Sequence, residues 1–410
     1  MFVGENSNYP VSIWTQDNFI RKMKMKEHIK LGIYHLIIVL LISLWLFSCS
    51  KTKTDNILIN IEQKENVSIK EHFLSIDLIP LETSDSVLIG RLTKIVQNNK
   101  KYYVLDKKQR AVFIFDLNGK FLNKIDKKGN GPGEYTEISD FEINQYSGNI
   151  ELLSPWGIIY VYDKRGKFIR NYKVPDVLKV MHFLKFISEN KVLLYCMTEK
   201  DRLFLFDRVK NELISLSYNI PDNVLTKSFT TYFPMYSLNN EIHLKENFSN
   251  SIYKIQGDEI IKEFTWDFGS LNIELEKIKS KKESIDKYLT LIKEGGNNSF
   301  VYPFYMNLEN ENTIFTIFGY DKNYNHLVLN KKTKRYILFD KYEEDVIFPF
   351  FYTFSSMDHY LSAIDISLFE ISDFVKPEFL TETNRHVLEK INPNDNPIII
   401  SYKLNPNFCK

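Results

Sequence analysis

Two stretches decide the fold when set side by side: "VFIFDLNGKFLNKI" (residues 112–125) and "IYVYDKRGKFIRNY" (residues 159–172). Each is an apolar strand ending in Asp, then two turn residues, Gly-Lys-Phe and a second strand. Gly119 and Gly166 supply the backbone freedom that a tight reversal needs. Asp116 and Asp163 stand 47 residues apart. "LFLFDRVKNELISLSY" places Asp207 44 residues later with its glycine lost, and "IYKIQGDEIIKEF" places Gln256 in the same position after a further 49. "LVLNKKTKRYILF" has Asn330 there, 74 residues on. A period in the mid-forties with several strands per unit predicts propeller blades.

The single long interval has its own explanation. Leu271, Leu275, Ile278, Ile285, Leu289 and Ile292 recur at helical spacing until Gly295-Gly296 stops the run. This predicts one helical insertion over about 271–296. After Asp340, "YLSAIDISLF" and "NPIIISYKL" supply a sixth blade, and the N-terminal "HFLSIDLIPL" can add a strand to it and close the ring. The expected fold is all-β: a six-bladed β-propeller with one helical insertion, occupying residues 57–410.

Composition agrees with a folded, strand-rich chain of 410 residues, 44% hydrophobic, with 31 Phe and 24 Tyr. The formal charge is +1, from 53 basic and 52 acidic residues. No broad field exists to gather nucleic acid, which is excluded as a partner class. The 3 cysteines include no C-x-x-C pair. Cys196 sits in "KVLLYCMT" as a small buried hydrophobe, and its pairing with Cys409 has no support in the sequence.

Residues 31–47, "LGIYHLIIVLLISLWLF", follow the charged "MKMKEHIK" and precede Ser48–Cys49. That is the n-region, h-region and small-residue site of a secretory signal. The run resembles a bacterial lipoprotein leader, with Leu46-Phe47-Ser48-Cys49 in the place of the lipobox. The resemblance implies that Cys49 is lipidated and that cleavage precedes it. Without a role for Cys49, the same run reads as an uncleaved signal anchor. Residues 1–22 do not look like an n-region, so Met23 or Met25 is the expected start. The divisions are then a leader over 1–48 and a lipidated tether over 49–56. With no acidic run after Cys49, the expected location is the outer membrane, facing the periplasm.

"GNGPGEY" (129–135) invites a reading as a phosphate cradle. Its glycines lack the G-x-G-x-x-G spacing, Pro132 removes a donor, and no G-K-[ST] follows. Gly129, Gly131, Gly133 and Glu134 are instead read as a structural connection from the outer strand of one blade to the inner strand of the next, with Glu134 capping local backbone donors.

From about residue 76 to 407 the chain resembles NHL-type repeats and, more closely, the six-bladed β-propeller lipoproteins of Gram-negative envelopes. The residues that carry this are "PLETSDSVLIGRLTKI", "YYVLDKKQRAVFIFDLNGKF", "GNGPGEYTEISDFEI", "SIYKI" and "NPIIISYKL". The resemblance implies a membrane-anchored module that binds a glycan, a peptide or a protein. The alternative is a metal-dependent hydrolase or lyase of the six-bladed type.

No catalytic motif of the G-x-S-x-G or H-E-x-x-H kind occurs, no histidines stand at metal-ligand spacing, and no cofactor is indicated. Asp140 and Glu142 share one face of a strand, a spacing open to acid–base work but more usual for a solvated face. Aromatic runs open three inner strands: "TTYFPMYSL", "FVYPFYMNL" and "IFPFFYTF". Tyr232, Tyr236, Tyr302, Tyr305 and Tyr352 are therefore the ligand-binding candidates, able to stack on rings and to hydrogen-bond.

Overall fold

The computed structural model describes residues 55–175, 180–197, 202–216, 233–246, 249–272, 277–283, 286, 300–349, 353–355 and 358–410. Cys49, Tyr232, Tyr352 and most of the insertion expected over 271–296 lie outside them.

Six antiparallel sheets follow one another along the chain. The first blade is Leu92–Asn98, Lys101–Asp106, Ala111–Asp116 and Phe121–Ile125, and the second is Asp140–Ile143, Ile150–Leu153, Ile158–Tyr162 and Phe168–Lys173. The third is Phe183–Phe186, Lys191–Tyr195, Leu203–Asp207 and Glu212–Leu216. The fourth runs Met235–Leu238, Glu241–Lys245, Ser251–Gln256 and Glu259–Asp267, and the fifth Tyr302–Glu309, Thr313–Tyr320, Asn323–Asn330 and Tyr336–Phe339. Thr353–Ser355, His359–Ile364 and Ile398–Leu404 form the sixth, and Phe73–Pro80 completes it as the outermost strand. Leu78 pairs with Ile400 across that last seam, so the closing blade joins the two ends of the propeller and hides an edge. The chain is a six-bladed β-propeller.

Middle strands are buried on both faces and read as continuous apolar runs: Val104, Leu105, Val112, Phe113 and Phe115 are all fully buried. Apolar clusters fill every seam around the ring, for example Leu105 and Val112 of the first blade with Phe141 and Leu152 of the second. Corresponding clusters join blades two and three, three and four, four and five, five and six, and six and one.

The repeated Asp is a turn acceptor. Asp116 Oδ1 accepts from the N–H groups of Asn118 and Lys120, both at 2.9 Å, and Asp163 Oδ1 from those of Arg165 and Lys167 at 2.8 and 2.9 Å. Asp207 and Asn330 do the same for the residues after them. Asn211 and Lys334 take the positive φ of the missing glycines, at 54° and 60°.

Asp55–Leu58, partly read as tether, pairs in parallel with Glu259–Asp267 as a fifth strand of the fourth blade. Cys196 and Cys409 are both buried thiols and are not joined to each other. Among the described residues no helix is long and apolar enough to cross a membrane.

Candidate functional site

The innermost strands of all six blades line a central cavity of about 790 Å³. Its lining joins apolar side chains such as Phe183, Phe186, Met235, Met306 and Leu308 to two built polar walls.

The first wall spans blades one to three. Lys94 Nζ donates to Asp140 Oδ1 at 2.8 Å, to the Phe141 carbonyl at 2.6 Å and to Glu142 Oε2 at 3.3 Å. Lys185 Nζ donates to Glu142 Oε2 at 2.5 Å, and the Leu184 N–H to Asp140 Oδ2 at 3.0 Å. Asp140 and Glu142 are 2% and 8% exposed, so the expectation of a solvated strand face is corrected. What overturns it is the closed ring, which turns innermost strands towards one another and brings a lysine from each neighbouring blade. Burial disfavours every charge here. Asp140 and Glu142 outweigh it at Lys94 and hold that ammonium above its ordinary value. Lys185 and Lys94 likewise hold Glu142 below the usual carboxylate range, whereas burial pushes Asp140 up.

The second wall joins blades four and five. Tyr236 donates its hydroxyl to Glu309 Oε2 at 2.6 Å and accepts from Asn307 Nδ2 at 3.1 Å. Lys331 Nζ reaches the other Glu309 oxygen at 2.5 Å. The Tyr236 ring stacks on His243, with centroids 5.1 Å apart, and His243 Nδ1 pairs with Glu263 Oε2 at 2.8 Å. Burial, then the Glu309 charge, pushes the Tyr236 hydroxyl well above its ordinary range. Tyr236 therefore enters the cavity wall with its hydroxyl already committed. Tyr302 and Tyr305 lie in the innermost strand of blade five, with side chains outside the described residues.

The glycine-rich connection lies between Phe121–Ile125 and Asp140–Ile143, away from the cavity lining. Glu134 Oε2 accepts from the Gly131 N–H at 2.8 Å. Gly133 has φ 76°, and a Cβ there would stand 2.4 Å from the Phe168 ring. Tyr135 is buried beneath the loop and donates to the Ile125 carbonyl at 3.1 Å. Gly129, with φ 155°, would press a Cβ onto Glu134.

Sequence reasoning missed Lys94 and Lys185 as wall residues. The signal was present in "LTKIV" and "FLKF", where a lysine interrupts a short strand. Among the described residues no three His, Cys, Asp or Glu side chains gather as a metal site.

A family profile described as "Domain of unknown function (DUF4934)" matches residues 54–403. The chain belongs to the DUF4934 family. No curated protein matches it. Among solved structures, this DUF4934 chain is similar to a Bacteroides fragilis protein described as exported. That pair has 18% identity and TM-score 0.66, covering 85% of this chain and 99% of the other. A DUF4221-family protein of Bacteroides vulgatus aligns at 12% identity and TM-score 0.51, over 81% and 96% of the two chains. A virginiamycin B lyase of Staphylococcus aureus aligns at 11% identity over 70% and 80%, with TM-score 0.40, too low to bear on activity. These likenesses show the fold alone.

Proposed function

We propose that this DUF4934 chain is a lipid-anchored envelope protein whose propeller binds a ligand in its central channel. The observation that carries the reading is the cavity itself. At about 790 Å³ it has the size of a small-ligand site, and it joins apolar surface to a few buried, ordered polar groups. The first wall costs desolvation energy that an apolar seam would not, which is the kind of expense found where a site is being shaped. Its ligand is a glycan or a peptide, and the chain acts by binding. Lipidation of Cys49 would hold the propeller at a membrane surface, and the Bacteroides fragilis relative described as exported is consistent with that placement. The test is a glycan and peptide array screened with the full chain in detergent, followed by crosslinking of any hit. Crosslinks to cavity residues such as Ser237 and Gln97 are expected. Crosslinks confined to the outer strands would overturn the reading.

A further inference from the structure

The channel mouth carries cations that neither wall uses. Arg91 lines the cavity just before the innermost strand of blade one begins. Leu92, next to it, pairs with Asp106 at the end of the second strand, so Arg91 and Lys107 stand side by side just beyond the paired ends. Two like charges in that position repel, and the fold keeps them at a cost. Lys108 is close as well, its Cδ 3.5 Å from where a Cβ on Gly90 would stand. Among the described residues, the side chains of Arg91 and Lys107 make no hydrogen bond or ion pair.

The carboxylates beside them are committed elsewhere. Asp106, fully buried, accepts the Gln109 N–H on Oδ1 at 2.9 Å; on Oδ2 it accepts the Gly90 N–H at 2.6 Å and Gln109 Nε2 at 2.7 Å. All three donors are neutral. Asp140 and Glu142 are taken by Lys94 and Lys185, which leaves the first wall neutral as a whole. Asp365 of blade six holds the Ser367 N–H and hydroxyl at 3.1 and 2.6 Å. Burial pushes the Lys107 ammonium down; Asp140 opposes this, and the charges of Lys94 and Arg91 add to it. His182 of blade three feels the same charge, its imidazole drawn down by burial and then by Lys107. In a chain of formal charge +1, that surplus is local to the mouth.

The rest of the lining is largely apolar. Phe183 packs on Phe233 with centroids 6.0 Å apart, and Met235, Met306 and Leu308 continue the surface. The polar groups of the two walls are spent on one another, which suits an apolar side chain better than the hydroxyls of a sugar. We infer that the channel takes an acidic peptide, with an apolar side chain filling the channel and a neighbouring carboxylate held at the mouth by Arg91 and Lys107. The guanidinium offers a planar fork that matches a carboxylate, and Lys107 adds a second charge beside it. This rests on the channel being the binding site and chooses the peptide over the glycan.

The experiment is calorimetry of the full chain in detergent with two sets of acetylated tetrapeptide amides. Both sets have Phe, Leu or Met at the central positions; one is flanked by Glu and the other by Gln. At about 50 mM salt the best Glu peptide should bind at least about tenfold more tightly than its Gln counterpart, an advantage that shrinks at about 500 mM. Arg91→Gln combined with Lys107→Gln should erase the advantage at an unchanged melting temperature. Arg91→Gln alone, at an exposed position, should reduce it at least about threefold. Lys210→Gln, which removes one charge from an exposed turn of blade three, should leave it intact. If no Glu peptide exceeds its Gln counterpart, or if the Arg91 variants keep the advantage, the inference fails. Trigalacturonate binding more tightly than every Glu peptide would overturn the choice of a peptide. Array ligands that crosslink to the channel but carry no acid would overturn this inference alone and leave the channel reading intact.

Discussion

Asp116 and Gly119 show how much of this fold is written in single residues. The carboxylate closes the turn from inside, and the glycine adopts φ 79° where a Cβ would meet the Pro80 carbonyl at 2.0 Å. Gly257 has a similar φ of 65° but open space around it. Gly119→Ala should therefore cost about 2 kcal/mol or more, and Gly257→Ala about 1 kcal/mol, since only the first adds a backbone clash to left-handed strain. Urea unfolding of the two variants checks the order; equal costs would mean that the Pro80 contact is not rigid. Lys94→Met leaves Asp140 and Glu142 facing each other in the wall and should cost about 3 to 5 kcal/mol. His326, stacked on Phe315 and Phe339, is held at about 4 by burial, and His72 at about 3 by burial and then by His326. Both folded values lie below the ordinary 6.5, so the unfolded chain binds more protons as pH falls from about 6.5 towards 4. Stability contributed by these neutral rings is complete above that window and is lost as pH drops through it. His326→Phe keeps the ring stack and should lower the slope of stability against pH there by about one proton, roughly 1.4 kcal/mol per unit. An unchanged slope would show that His326 is not neutral in the folded protein.

At the level of elements, the hairpins were legible because their chemistry is local: an acceptor, a left-handed residue and two alternating strands within fourteen positions. The closing blade was legible because its three segments were the strands left over. The polar walls were not, because Lys94 meets Asp140 from 46 residues away and Tyr236 meets Glu309 from 73 away. Only ring closure brings such pairs together, and no spacing rule in a single sequence contains that information. Local pattern likewise could not separate a solvated Asp140–Glu142 pair from a buried one, since the two faces of an innermost strand look alike until its neighbours are placed. The connection from blade four to blade five makes a further prediction. The Val301 N–H bonds the Leu271 carbonyl at 2.8 Å, so the chain returns to the place it left. Replacing residues 273–299 with a short Gly/Ser linker should keep one cooperative, β-rich unfolding transition, because closure entropy depends weakly on loop length. Loss of cooperativity would assign the segment, including the buried Ile278, to the propeller core.

The whole molecule depends on one seam between distant parts of the chain. Phe73, Ile76 and Leu78 pack into the cluster that joins blades five and six, so removing the Phe73–Pro80 strand should open the ring and abolish cooperative unfolding. A truncated chain that melts like the full one would show that the sixth blade closes without it. Anchoring is separable from this closure. Cys49→Ser should release the protein from the membrane fraction while circular dichroism of the propeller stays the same; wild-type protein found unacylated would end the lipoprotein reading. Both matter to function only if the ring exists to enclose a site. Ser237 is exposed to the channel on the innermost strand of blade four, small and outside the ion pairs of both walls, so Ser237→Trp fills the space without breaking one of them. The direct test of the channel as the binding site is the array screen repeated with this variant. Ligands of the wild-type protein should be lost while the melting temperature is unchanged, and the same ligands retained at the same affinity would contradict it.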